Sequence, residues 1–472
     1  MRIARPPGVA AVGDPIPFAH DGRVHLFFLS SPPGTQDYPE RVATTWQHMA
    51  STDLKSWDLL APALAPGRPG TYDAGGIWTG SVVENAGIFY LYYTAHDPTN
   101  RANPQTIALA TSRDLVNFER HPDNPILYPP PQFSQVDWRD PYVFFNQVEE
   151  CWFMLVATRV SEASMVQSRW HGGTLALATS NDLIHWEVET EPLYTPGTTF
   201  CPECPELWPF GDKWYLVYSR FSEQAGTVFR VADSPRGPFR TPLREELGGR
   251  RWYAAKSAPF EHGRAFFGWI HDRVNTEAGP RWLWGGDFAL NRVLRPDESG
   301  QWMGVRPVVG DPAFDQFLEV QLGAPGMFGG AVAQAEVPRN TVIKATFEAV
   351  DAAAVGIDLV TGETAYRILV DNRRRLVRIT QEPQPLDDFW ADLTGTGSSY
   401  REVDGPALAC AKRSPEADSG SATVHVVLEG DLIEVFVDDD VALTQRIRWP
   451  GGQVNAFAID GEAKVSVAIA PD

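Results

Sequence analysis

At 472 residues, with 43% of them hydrophobic and only four cysteines, the chain is long enough for two or three domains and for a core built without a disulfide scaffold. Its 60 acidic against 40 basic side chains give a net charge of −20, which excludes recognition of nucleic acid or an anionic membrane through a basic face. No run of about 18 apolar residues occurs, and residues 1–11 carry no apolar stretch of signal-peptide length, so the cytoplasm is the expected location.

Taken in chain order, the first element begins at Asp14, turns at Asp21-Gly22 and returns as an aromatic strand, His25-Leu26-Phe27-Phe28. A polar phrase then follows, Ser51-Thr52-Asp53-Leu54 with Trp57. The same three phrases recur. First strands begin again near Thr79, Asp140, Glu203 and Lys256, at spacings of 65, 61, 63 and 53 residues. Aromatic strands recur at 89–93, 152–156, 214–218 and 265–269, most of them after a polar turn that reads as a hairpin. The Ser-x-Asp-Leu phrase returns at 112–115 and 180–183, with a degenerate copy at 232–239.

A period near 60 with about four short strands per unit predicts a five-bladed β-propeller over residues 1–310. Apolar alternation of period two argues against a helical solenoid. Beyond residue 310 the phrases stop. Gly323-Ala324-Pro325-Gly326 reads as a connector, and strands at 341–348, 366–370, 376–379, 424–428, 432–437 and 465–469 predict a β-sandwich over 311–472. The polar stretch 387–420 reads as loop. Alone, such a domain would be a carbohydrate-binding module or a stabilising appendage.

In a propeller, residues at equivalent points of different repeats meet at one end of the central axis. Three repeats carry an acid there, with proline behind it: Asp14-Pro15, Asp140-Pro141 and Glu203-Cys204-Pro205. A lone Asp-Pro marks a turn; three around one axis point to chemistry. Thr79 and Lys256 fill the equivalent places in the other two repeats. Paired carboxyls that flank an anomeric carbon cleave glycosidic bonds, and burial at the start of an inner strand raises a carboxyl pKa towards what a general acid needs. Sixteen Trp supply both core packing and faces for sugar rings.

Other chemistries have less behind them. Cys201-Pro202-Glu203-Cys204 lacks a second pair to complete a zinc site and a βαβ setting for redox work, and reads as packing around Glu203. Gly-x-Ser-x-Gly is absent. His20, His25, His171 and His271 read as structural, while His48 could line the pocket.

Together these segments resemble glycoside hydrolase family 32, the invertase and fructanase family, over nearly the whole chain. Gly13-Asp14-Pro15-Ile16-Pro17 is similar to that family's Asn-Asp-Pro-Asn-Gly, Trp46-Gln47-His48 to its Trp-Gly-His, and Trp78-Thr79-Gly80-Ser81 to its Phe-Ser-Gly-Ser. Arg139-Asp140-Pro141 matches its Arg-Asp-Pro, and Glu203-Cys204-Pro205 its Glu-Cys motif. The segments Trp282–Leu294 and Ile433–Val437 also look like later parts of that family.

The resemblance implies hydrolysis or transfer of a β-fructofuranosyl group with retention and without cofactor or metal. It makes Asp14 the nucleophile, Glu203 the acid/base and Asp140 the transition-state stabiliser. Arg139, Trp46, Gln47, Trp78, Thr79 and Cys204 become the substrate-binding candidates. The expected partner is carbohydrate; the sequence sets no oligomeric state. Gly13 and Ile16-Pro17 depart from the family pattern, and an apolar Ile16 would favour a different furanoside or a linkage-specific fructan. The loop 30–45, rich in proline and charge, would reshape the entrance. Two alternatives stand beside this reading: a family 43 arabinofuranosidase or xylosidase, often inverting with carboxylates further apart, and a catalytically silent sugar-binding protein.

Overall fold

The computed structural model describes residues 4–161, 171–220, 225–276, 279–310, 312–323, 335–348, 350–382 and 408–471. Regular structure within them is almost entirely strand, with a one-turn 3-10 helix over Glu40–Val42. The chain divides into two compact units. One comprises Met1–Glu245, Tyr253–Val274 and Trp282–Gln301; the other comprises Glu246–Trp252, Asn275–Arg281 and Trp302–Asp472. Residues 302–310, placed with the propeller on sequence texture, group with the second unit.

The first unit is a five-bladed β-propeller. Blade one is β1 (Val12–His20), β2 (Arg23–Ser30), β3 (Thr45–Ser51) and β4 (Asp58–Leu59). Blade two is β5 (Gly76–Asn85), β6 (Ile88–His96), β7 (Gln105–Ser112) and β8 (Glu119–Arg120). Blade three is β9 (Phe133–Asn146), β10 (Cys151–Val160), β11 (Gly173–Ser180) and β12 (Glu187–Val188). Blade four is β13 (Pro202–Phe210), β14 (Lys213–Arg220) and β15 (Gly226–Ala232), edged by a bridge from Val231 to Arg240. Blade five is β16 (Tyr253–Phe260), β17 (Gly263–Thr276), β18 (Gly279–Phe288) and β19 (Arg292–Pro296). Strand β18 runs beside β17 and pairs with β1 through Gly286 and Val12, which joins the last blade to the first.

The aromatic strands are apolar on both faces because each blade is packed from both sides. Alternate residues of one strand point to opposite faces. On β6, Phe89, Leu91 and Tyr93 join a cluster with Phe27, Leu29 and Trp46 of blade one. Tyr92 turns the other way, to Trp138, Met154 and Val156 of blade three. On β10, Phe153 and Leu155 turn to Leu207, Leu216 and Tyr218 of blade four. Each fully buried side chain of this kind stabilises the fold by roughly 1.5–3 kcal/mol.

The Ser-x-Asp-Leu phrases end the third strands. The Ser51 hydroxyl accepts from the Leu54 N–H (2.8 Å), and Asp53 Oδ1 accepts from the Lys55 and Ser56 N–H groups (2.8 Å each). Ser180 and Asp182 repeat this with Leu183, Ile184 and His185. These bonds hold Leu54, Leu115 and Leu183 at φ of 61°, 61° and 68°. That conformation is unfavourable for leucine, and it delivers each leucine side chain into the blade interior, where all three are buried.

The second unit is a β-sandwich of two six-stranded antiparallel sheets. The first runs Gln316–Leu322, Ala463–Pro471, Thr341–Glu348, Ala422–Glu429, Leu432–Val437 and Val441–Arg446. The second runs Ala335–Val337, Gly452–Ile459, Ala354–Thr361, Thr364–Asp371, Leu376–Glu382 and Ala409–Lys412. Alternate residues of both sheets, among them Ile343, Phe347, Ile357, Ile368, Val426 and Val435, form one core. Of the stretch read as loop, 387–407 lies outside the described residues. Ala409–Lys412 proves to be an edge strand paired with Leu376–Ile379; four residues are too few to display alternation. Residues 324–326 of the connector also lie outside the described residues.

Candidate active site

The inner strands β1, β5, β9, β13 and β16 share a defect. Each slips its register at a common depth against its partner: between Val12 and Pro15, Trp78 and Gly80, Arg139 and Tyr142, Glu203 and Glu206, and Tyr253 and Lys256; β9 slips again, between Phe133 and Trp138. A bulge sets two residues against one and re-aims their side chains. Pro15, Pro141 and Pro205 fit there because a bulge excuses the missing N–H. Asp140, Cys204 and Ala254 adopt φ of 58°, 50° and 49° at these bulges, a strained geometry that functional sites accumulate.

Counting back from each hairpin turn corrects the alignment of the repeats. Asp14, Thr79, Asp140, Cys204 and Ala254 occupy equivalent positions. Glu203 falls one residue further on, level with Arg139 and Tyr253, and Lys256 lies two residues deeper than Ala254, level with Tyr142 and Glu206. Proline spacing misled the sequence alignment, because Pro205 follows Glu203 at one remove.

The two upper rows form linked hydrogen-bond chains. In the first, the Thr79 hydroxyl and Trp269 Nε1 (2.9 Å) donate to the two oxygens of Asp14, and the Cys204 N–H donates to Asp140 Oδ2 (2.8 Å). In the second, Arg139 Nη2 donates to Glu203 Oε1 (2.9 Å) and the Tyr253 hydroxyl donates to Glu203 Oε2. Arg139 is held in turn by Asp137 (2.8 Å) and Gln105 (3.2 Å).

All three acids line one cavity of about 300 Å³, together with Arg139, Trp78 and Cys204, a size that suits a small-molecule site. Burial pushes the Asp140 carboxyl up to about 7, against the pull of Arg139 and with further push from Asp14 and Glu203. Burial also raises Asp14, opposed by its bond from Thr79 and reinforced by the charge of Glu203.

The other candidates divide. Arg139, Trp78 and Cys204 line the cavity. Thr79 is fully buried and serves Asp14. Trp46 does not reach the cavity: its ring is core, and its indole N–H supports the Trp78 carbonyl (3.0 Å). Gln47 donates to Ser30 instead (3.1 Å). Both lie on β3, a third strand, away from the axis. His48 is buried against Phe27 and His25, not in the pocket. Ile16 is likewise core, 1% exposed among Phe27, Leu29 and Trp46, so it does not touch substrate space.

Seven lining residues are not among the sequence candidates: Leu29, Val42, Gln105, Asp137, Tyr253, Trp284 and His271, the last of which reads as structural in the sequence. Tyr253 could have been found by its place one repeat beyond Glu203; Trp284 lies on β18, a strand without a counterpart in the other blades. Gly13 has its reason here, since a Cβ would run into the Trp284 ring. Arg41 ties the loop 30–45 to β18 and β17 through the Trp284 carbonyl (2.5 Å) and Asp272 (2.8 Å), which brings Val42 to the cavity wall. All four cysteines are free, and among the described residues no cluster of three or more His, Cys, Asp or Glu is arranged for a metal.

Residues 12–307 match the family model for glycosyl hydrolases family 32, N-terminal domain. The chain is 26% identical to raffinose invertase of Escherichia coli, over 94% of this chain and 88% of that protein. It is 27% identical to sucrose-6-phosphate hydrolase of Zymomonas mobilis over 58% of this chain and 55% of that protein, so it spans little more than half that relative. Among solved structures, exo-inulinase from Aspergillus awamori superposes with a TM-score of 0.73 at 18% identity, over 99% of this chain and 97% of that one. At that identity the likeness speaks for the fold.

Proposed function

The chain belongs to glycoside hydrolase family 32, and from that premise we propose that it cleaves or transfers β-fructofuranosyl groups by double displacement with retention. The observation that carries this reading is the convergence of Asp14, Asp140 and Glu203 on one cavity, each fixed by named donors.

Asp14 attacks the anomeric carbon, and the carbon–oxygen bond to the leaving group breaks as Glu203 delivers its proton to that oxygen. Bonds from Thr79 and Trp269 hold both Asp14 oxygens and aim the attack. In the second step Glu203 takes a proton from water, or from a sugar hydroxyl in transfer. The oxygen so freed bonds to the anomeric carbon, and Asp14 departs as carboxylate. Asp140 and Arg139 hold ring hydroxyls, and a raised Asp140 can donate as well as accept. Arg139 and Tyr253 fix the Glu203 carboxyl from opposite oxygens. No step calls for a cofactor.

The test is product release from sucrose, raffinose, inulin and levan, set against arabinofuranosides and xylosides, with methanol added to trap the transferred group. Fructose and a methyl β-fructofuranoside are expected. Release of pentose alone would overturn the substrate class, and a methyl α-fructofuranoside would overturn retention.

A further inference from the structure

One buried cation lies below the site and takes no part in the mechanism above. Lys256 is 2% exposed, on β16, in the row beneath the acids. Its ammonium donates to the Gly80 carbonyl (2.6 Å) and lies 5.4 Å from the centre of the Tyr142 ring. Among the described residues it has no ion-pair partner of its own. Glu206, level with it, gives its oxygens to Trp208 (2.9 Å) and to the Ser257 hydroxyl and N–H (2.6 and 2.8 Å).

The charged and titratable groups around Lys256 come from β1, β9 and β13. They are Asp14 on β1, Arg139, Asp140 and Tyr142 on β9, and Glu203, Cys204 and Glu206 on β13; β5 contributes the Gly80 carbonyl beside Thr79. Four carboxyls thus share a desolvated region with two cations, Arg139 and Lys256. Arg139 is engaged with Glu203 and Asp137. Arg139 also acts on Asp140; Lys256 is the second cation whose charge is felt at Asp14 and Asp140.

Resting on the assignment of Asp14 as nucleophile, we propose that Lys256 is a positioning residue: its ammonium, fixed on Gly80, supplies counter-charge that favours the ionised form of Asp14 in the resting site. Burying an ammonium is unfavourable unless its field is used. Burial pulls Lys256 down, while Cys204, Glu206, Asp140 and Asp14 pull it up. The same field, read from the acids, opposes their protonation. Without it, acid would neutralise the nucleophile more readily.

The test separates charge from packing. Lys256→Gln keeps a donor for the Gly80 carbonyl and removes the charge; Lys256→Arg keeps the charge; Lys256→Met fills the slot if the glutamine variant does not fold. Two readouts are compared: the acid limb of kcat/KM, and the pH at which the Trp269 indole N–H resonance titrates, since that group hydrogen-bonds Asp14. The second needs no substrate and is assigned with Trp269→Phe. Loss of the charge moves both midpoints up by about one pH unit, the size expected of a unit charge at this range in a protein interior. Lys256→Arg restores them. A uniform loss of rate with unmoved midpoints overturns the proposal and leaves Lys256 as packing. A shifted indole titration in a protein that cleaves no fructoside sinks the functional reading but not the role of the charge.

Discussion

Every inner strand of the propeller breaks its register at the same depth, whereas the described ladders of the sandwich run without a break. Both units are antiparallel sheet from similar residues, so propensity does not separate them. What separates them is backbone satisfaction. An unbroken ladder spends every N–H and C=O on its neighbours and leaves only side-chain packing to vary. A broken one leaves unpaired positions at a fixed depth along the axis, and there the propeller keeps Asp14 and Asp140, with Glu203, Arg139 and Tyr253 on the paired residue that borders the break. Chemistry is placed where the sheet is imperfect.

That contrast can be broken experimentally. Asp14→Asn should lower kcat by about 10⁴-fold or more and leave the unfolding midpoint unchanged or higher, because a buried charge is removed. A large fall in the midpoint would mean that the bulge acid holds the fold together. The reverse pattern is expected in the sandwich. Ile368→Ala, at a fully buried core position, should cost about 3 kcal/mol of stability with kcat/KM within twofold. Tyr253→Phe removes one donor from Glu203; a hydrogen bond to a charged group is worth about 2 kcal/mol, so a loss of roughly 30-fold in kcat is expected.

A milder probe uses the histidine pair of blade one. Burial pushes His25 down to about 4 and His48 down to about 3. The unfolded chain, with histidines near 6.5, binds more protons than the folded one below that value. Stability from this pair is therefore full above about pH 6.5 and lost as the pH falls towards 4. His48→Gln should flatten that slope in urea unfolding curves. The smallest effect belongs to the turns: Ser180→Ala removes the acceptor that holds Leu183 left-handed and should cost about 1 kcal/mol.

The sequence made the blades legible because two signals recur independently, an aromatic strand and a turn phrase, and each has a physical job that every blade must repeat. Asp14 and Asp140 were legible for the same reason. Trp46 and Gln47 were misplaced because neighbours along the chain can belong to a third strand, and motif adjacency says nothing of distance from the axis. Glu203 was placed one residue out of row, since the bulges, not the prolines, set the phase. His271 reads as structural from the sequence, and Trp284 went unassigned because β18, which carries it, has no counterpart to compare.

The pairing of Val12 with Gly286 has a consequence for the making of the protein. The strand that bears the nucleophile leaves the ribosome well before its partner, which is more than half this chain behind. At about 5–20 residues per second, Asp14 waits roughly 15–55 s before Trp269 and Gly286 arrive to fix it. A nascent chain halted anywhere before that point carries the acid but no site, so premature termination yields inert fragments rather than a misdirected hydrolase.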